Sequence, residues 1–173
     1  FEGPARKSYS HSHVLARSTS SQRELEELLM RLSEMVGRRL RAAHRCGRVV
    51  SVSIVYRPDT DRFSKQSTLA VPITTGEEIY QAAHALLAWR DVRRAVGTLG
   101  VGLSGLSDVD DGQLDLFATA VRPRRDRLEI AMDKIRDRFG EDAVQRARLL
   151  GRAAVVRDRI AFGNTGHPDD EKR

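Results

Sequence analysis

The sequence predicts an α+β fold: a four-stranded antiparallel sheet with two helices on one face, plus a C-terminal extension with one or two helices. Three observations predict it. Apolar residues recur at three- and four-residue steps in two stretches, each opened by a capping-box pair, Ser21 with Glu24 and Thr75 with Glu78. Apolar and small or polar residues alternate in two other stretches, Val50 to Tyr56 and Thr98 to Ser104. With two weaker strands the order becomes strand, helix, strand, strand, helix, strand, and the two helices must then cover one face of a common sheet.

Ser8 to Leu15 is polar, alternating and poor in helix formers, which reads as the opening strand. Leu25, Leu28, Leu29, Leu32, Met35, Val36 and Leu40 then trace a long amphipathic helix ending near His44 to Gly47. Val50, Val52, Ile54 and Tyr56 form the buried face of a strand that Pro58 and Asp59 close. A turn through Asp59, Thr60 and Asp61 leads to a partner strand from about Phe63 to Val71, and the two make a hairpin. In that strand Lys65 shares its parity with Phe63 and Leu69, a conflict that only a bulge would remove. Ile79, Ala83, Leu86 and Leu87 give the second helix, to about Trp89 or Val92, and Leu99, Val101 and Leu103 the last strand, ending near Leu106. Leu128, Met132, Ile135 and Phe139 space a third helix with Gly140 as its stop, and Ala143, Val144, Ala147 and Leu150 suggest a short fourth. Little fixed structure is expected from Gly151 onward.

If Val50, Val52, Ile54, Leu99, Val101 and Leu103 point to the helices, then Ser51, Ser53, Thr98, Gly100, Gly102 and Ser104 point away from them. Glycines and small hydroxyls let another backbone come close. The chain has 173 residues and carries 30 Lys and Arg against 24 Asp and Glu, a net charge of +6, so that backbone is expected to be polyanionic. Arg38, Arg39, Arg41, Arg45 and Arg48 form one basic cluster and Arg122, Arg124, Arg125 and Arg127 a second, which favours nucleic acid over mere solubility. A solvated sheet face is the plain alternative.

One cysteine, Cys46, and no secretory signal imply a reducing cytoplasm, and no apolar run nears the roughly 18 residues that cross a bilayer. The opening Phe1-Glu2-Gly3-Pro4 suggests a piece of a longer protein. Gln113-Leu114-Asp115-Leu116-Phe117 lies between Asp108, Asp110, Asp111 and Gly112 and the Arg122-Pro123 stop, where neither helix nor sheet is comfortable. An extended peptide with a polar anchor and Leu-x-Phe side chains suits a partner's hydrophobic pocket; an edge strand or tucked loop is the alternative.

These residues carry a resemblance. The pentapeptide is similar to the Gln-Leu-x-Leu-Phe motif by which bacterial polymerases and repair proteins hold the β sliding clamp. The order of elements resembles the little finger domain of bacterial Y-family translesion DNA polymerases, the DNA polymerase IV group. The segments Lys7-Ser8-Tyr9-Ser10-His11-Ser12-His13-Val14-Leu15, Phe63-Ser64-Lys65-Gln66-Ser67-Thr68-Leu69 and Leu99-Gly100-Val101-Gly102-Leu103-Ser104-Gly105-Leu106 look alike as well. Asp133 to Gly140 with Arg146-Ala147 is similar to the tail of some members, so the likeness runs over about residues 6 to 151. Tyr9 and the two histidines depart from what is usual in the opening strand.

The resemblance implies a little finger fold at 6–108, a clamp-peptide linker at 109–124, a helical tail at 125–151 and a flexible end at 152–173, with 1–5 a linker or remnant. It implies that Lys7, Ser8, Ser10, His11, Ser64, Lys65, Gln66, Gly100 and Gly102 meet DNA phosphates, and Arg48 from the first basic cluster is added to them. Expected partners are duplex primer-template DNA, bound without sequence preference in translesion synthesis and repair, and the β sliding clamp. No membrane and no small-molecule substrate is expected. The parent is expected to be a DNA-directed DNA polymerase whose magnesium-binding carboxylates lie in another domain, so this fragment is expected to be non-catalytic and to need no cofactor. An RNA-binding or ribosome-associated module would use the basic clusters equally well, but it leaves Gln113 to Phe117 without a purpose.

Other chemistry fits poorly. Gly100 to Gly105 matches G-x-G-x-x-G but lies inside an alternating strand with no helix opening behind it. His11, His13, His44 and Cys46 match no structural zinc spacing, and Asp59, Asp61, Asp108, Asp110 and Asp111 stand where turns favour aspartate. Nine aromatic residues are too few for a single-strand stacking platform.

Overall fold

The computed structural model describes residues 7–91, 93–109 and 122–140, with 143, 144, 146 and 147; side chains of 122–126 are not among those described. The elements run β1 (Ser8–Thr19), α1 (Gln22–Ala42), β2 (Arg45–Arg57), β3 (Arg62–Ile73), α2 (Gly76–Leu87), β4 (Ala95–Asp108) and α3 (Arg122–Phe139). The four strands form one antiparallel sheet in the order β1-β4-β2-β3. The expected α+β fold and the β2–β3 hairpin are thereby observed.

Local chemistry sets the boundaries. Ser21 Oγ accepts the Glu24 N–H at the start of α1, and Thr75 and Glu78 form a complete capping box on α2. α1 ends at Ala42, earlier than the apolar spacing suggests, because His44 turns to φ 52 and the chain enters β2 at Arg45. α1 lies over β1 and β4, and α2 over β2 and β3. Leu25, Leu29, Leu32, Val36 and Leu40 of α1 and Ile79, Ala83 and Leu87 of α2 meet Val50, Val52, Ile54, Leu99, Val101 and Leu103 in a single core. Side chains that avoid water on this side supply the stability of the domain, so the opposite side can stay open.

Pairing of β2 with β3 is regular from Ile54↔Phe63 to Val49↔Thr68, so no bulge separates Phe63 from Lys65, and Leu69, the next residue after Thr68, packs against the same core as Phe63. The register slips only beyond, between Val49 and Gly47. There the Arg48 guanidinium donates to the Leu69 and Ala70 carbonyls at 3.3 and 2.8 Å, satisfying acceptors at the irregularity.

α3 differs from its sequence reading. Of the four apolar residues that space it, only Met132 is buried, at 9% exposure; Leu128, Ile135 and Phe139 are exposed, Phe139 at 68%. The inward face instead carries Glu129 and Arg136. Arg41 holds Asp133 through two bonds at 2.7 and 3.0 Å and Glu129 at 3.3 Å. Arg136 reaches Glu34 at 3.0 Å, Arg38 reaches Asp137 at 2.5 Å, and Arg146 contacts Glu34, Glu77 and Glu129. Desolvation pushes the Glu129 carboxyl above its ordinary value, against the pull of Arg41 and Arg146. The extension is thus docked on α1 and the start of α2 by paired charges. The expected fourth helix lies largely outside the described residues.

Removing one partner from such a buried network leaves charges that cannot be solvated, at about 3–5 kcal/mol. Arg41→Met is expected to speed amide hydrogen exchange throughout α3 by orders of magnitude while β2 and β4 stay protected. Unchanged exchange in α3 would mean that Met132 packing alone holds the helix.

Candidate nucleic-acid interface

The uncovered side of the sheet is built in rows that the registers define. One row runs Ser12, Gly100, Ser53, Ser64; the next runs Ser10, Gly102, Ser51, Gln66. Flanking rows are Ser8, Ser104, Val49, Thr68 and Val14, Thr98, Val55, Arg62. The two glycines are the floor. A Cβ on Gly100 would stand 2.6 Å from Ser53 Oγ and 3.2 Å from Ser12 Cβ, and one on Gly102 2.9 Å from Ser51 Oγ and 3.2 Å from Ser10 Cβ. Neighbouring serines therefore lean over both positions, and any side chain there would lift them apart. Ser51 Oγ donates to the Gly102 carbonyl at 3.4 Å, whereas the hydroxyls of Ser10, Ser12, Ser53 and Ser64 have no hydrogen-bond partner among the described residues. The face is uncharged at its centre and rich in hydroxyl donors without a partner among the described residues.

The expected contact residues divide. Lys7, Ser8, Ser10, Ser64 and Gln66 are exposed, the last four on the open face by register, with Gly100 and Gly102 beneath. His11 is a correction: it is 2% exposed on the helix-covered side, opposite Val101, and cannot meet an external phosphate. Its neighbour His13, on the same side, is held below its ordinary pKa by burial, which favours the neutral ring. Lys65 is a second correction. It shares the covered side with Phe63 and Leu69, and its ammonium sits 3.3 Å above the ring of the 69%-exposed Trp89. On an edge strand a long alkyl stem can follow the apolar side and still deliver its charge to the rim.

The basic cluster also has a different use from the one its density suggests. Arg38 and Arg41 hold α3, Arg39 donates to the Ser10 carbonyl at 3.3 Å, Arg45 pairs with Asp108 at 3.2 Å and Arg48 serves β3. Arg48 stays exposed, but two of its nitrogens are engaged with backbone. In the second cluster Arg122, Arg124 and Arg125 open α3, with side chains outside the described set, and Arg127 is exposed. Two exposed arginines that the sequence reading passed over, Arg57 and Arg62, belong to the hairpin end of the open face. Strand parity could have found them, since Arg57 continues Ser51, Ser53 and Val55, and Arg62 precedes Ser64 and Gln66 in step. Gln113, Leu114, Asp115, Leu116 and Phe117 lie outside the described residues.

Comparison with known proteins places this geometry. The model of the impB/mucB/samB family C-terminal domain matches residues 6–116, well over half of the chain. The chain belongs to this family. It is 37% identical over 160 residues to DNA polymerase IV of Pelotomaculum thermopropionicum, a match covering 88% of this chain and 38% of that protein. To DNA polymerase IV of Moorella thermoacetica it is 36% identical over 152 residues, covering 87% of this chain and 37% of that one. It spans little more than a third of the length of these curated relatives. Among solved structures, a Y-family DNA polymerase chimera superposes with TM-score 0.51 at 24% identity, over 60% of this chain and 29% of the other, a likeness of fold. The resemblance to the Y-family little finger that the sequence carries is borne out in both family and fold.

Among the described residues no three His, Cys, Asp or Glu side chains gather as a metal site, and no helix is long and apolar enough to cross a membrane.

The floor of the face gives a stability test. Gly100→Ala is expected to cost about 1 kcal/mol by displacing Ser53 Oγ, and about 0.5 kcal/mol or more of that should disappear in a Ser53→Ala background. Urea unfolding of the two single variants and the double one measures the coupling; strictly additive values would contradict the close approach.

Proposed function

We propose that this domain holds the sugar-phosphate backbone of duplex primer-template DNA on its open sheet face, without reading sequence, as the non-catalytic grip of a translesion DNA polymerase. The observation that carries this reading is the pair of serine-glycine rows, a surface on which a backbone can lie at hydrogen-bond distance from several unused hydroxyls. Phosphate contacts of that kind position a protein on a duplex and carry no base information. The family membership and the DNA polymerase IV relatives favour DNA over RNA as the polyanion. The parent's polymerase activity, its magnesium and its role in repair are proposed on the same footing. We also propose that Gln113 to Phe117 tethers the parent to the β sliding clamp, the glutamine as polar anchor and Leu116 with Phe117 as pocket-filling side chains.

Affinity built on phosphate contacts falls steeply with salt, by roughly 0.9 logarithmic units per tenfold rise in salt for each contact. Gly102→Val should raise the floor and weaken duplex binding about tenfold or more at low salt, with the fold retained. Fluorescence anisotropy with a labelled duplex reads this; a tight, salt-insensitive interaction would oppose the proposal. Separately, Leu116→Ala with Phe117→Ala is expected to abolish binding to the clamp in surface plasmon resonance and to leave DNA affinity unchanged. Retained clamp binding would remove the peptide from the interface.

A further inference from the structure

Resting on the DNA-grip reading, the geometry points to a two-arginine phosphate site at the hairpin end of the open face, made by Arg57 and Arg62 and seated on Gly97. Both arginines are exposed, and neither has an ion pair or hydrogen bond among the described residues. Arg62 stands opposite Val55 in the row Val14, Thr98, Val55, Arg62, and Arg57 lies two residues further along β2, opposite Ala95. The β2–β4 register slips between Val55 and Tyr56, and Gly97 is the residue of β4 left between Thr98 and Val96. A Cβ on Gly97 would lie 2.9 Å from Arg57 Nε and closer still to its Cγ. The arginine stem therefore lies flat across a position that only glycine leaves vacant, and Gly97 is buried beneath it.

The obvious competitors for these two charges are the hairpin carboxylates, Asp59 and Asp61. Both are taken by a third arginine: Arg94 reaches them at 3.1 and 2.9 Å, with its guanidinium carbon 4.4 Å from the centre of the Tyr56 ring. Tyr56 is fixed in turn, its hydroxyl accepting the Asp91 N–H at 3.0 Å. Arg94 thus engages both carboxylates of the turn and halves its negative charge, while Arg57 and Arg62 stay as two planar donors beside the serine rows. A guanidinium matches a phosphodiester oxygen pair in bidentate fashion, whichever base follows.

The test is the slope of log binding constant against log salt for the full 173-residue chain on a labelled duplex. Arg57→Gln and Arg62→Gln are each expected to lower the magnitude of that slope by about one, uniformly across unrelated sequences. Arg23→Gln, an exposed arginine of α1, should leave it unchanged. Gly97→Ala should reproduce the Arg57→Gln slope if it folds, and the Arg57→Gln arm decides the matter either way. A steep wild-type slope that neither glutamine variant alters would overturn this site and spare the DNA grip. Equal loss in Arg23→Gln would overturn it as well, since only net charge would then matter. A flat wild-type slope would remove the DNA-grip reading itself.

Discussion

The arrangement depends on one constraint: the central strand β4 has large side chains on one side and almost none on the other. Leu99, Val101 and Leu103 fill the core while Gly100 and Gly102 leave the opposite side bare. Glycine in a strand interior is unfavourable by roughly 0.5–1 kcal/mol relative to alanine, so both positions work against local stability. What offsets them is one-sided burial. Two helices supply a complete apolar layer for the covered side, and an antiparallel sheet needs no second layer. The apolar layer and the serine-glycine rows are therefore segregated onto opposite sides of the same four strands.

The extension follows another logic. α3 turns Leu128, Ile135 and Phe139 outward and rests on α1 through arginine and carboxylate pairs that are largely out of water. Buried ion pairs recover little more than their own desolvation, yet each demands its partner at a set place. Such contacts fix where α3 sits more than they strengthen the fold. The antiparallel pattern, Glu34 and Arg38 with residues 136 and 137 and Arg41 with 129 and 133, allows a single register.

Alternation and helical spacing made most of the domain legible because they report burial, and burial is what the six elements of the sheet and its helices share. The same signal misled in α3, where apolar spacing is present but the buried face is ionic. Arg41 and Asp133 are 92 residues apart in sequence, and no local pattern announces such a pair. Lys65 and His11 failed for a related reason. Each is a polar residue on an inward parity whose contact role comes from the resemblance, and the regular pairing of β1 with β4 and of β2 with β3 turns it to the covered side. The reading of Gln113 to Phe117 as a clamp peptide rests on its polar anchor, its apolar side chains and the resemblance, since five residues without alternation carry no burial signal.

Charge shows most clearly how position overrides composition. A run of five arginines between 38 and 48 looks like the electrostatic footprint of a nucleic-acid protein, yet every one has a partner within the domain. Density along a helix and the strand behind it reflects the need to hold α3, the end of β4 and an irregular stretch of β3. Arg57 and Arg62, by contrast, are exposed and have no ion pair or hydrogen bond among the described residues. Arg94 occupies Asp59 and Asp61, and the Tyr56 ring backs it, so the turn carboxylates are held by a third arginine and pair with neither Arg57 nor Arg62. An excess of six positive charges could be distributed in many ways. Two arginines without a partner among the described residues stand at the edge of an uncharged, hydroxyl-rich floor, and that juxtaposition is what the proposed backbone contact rests on.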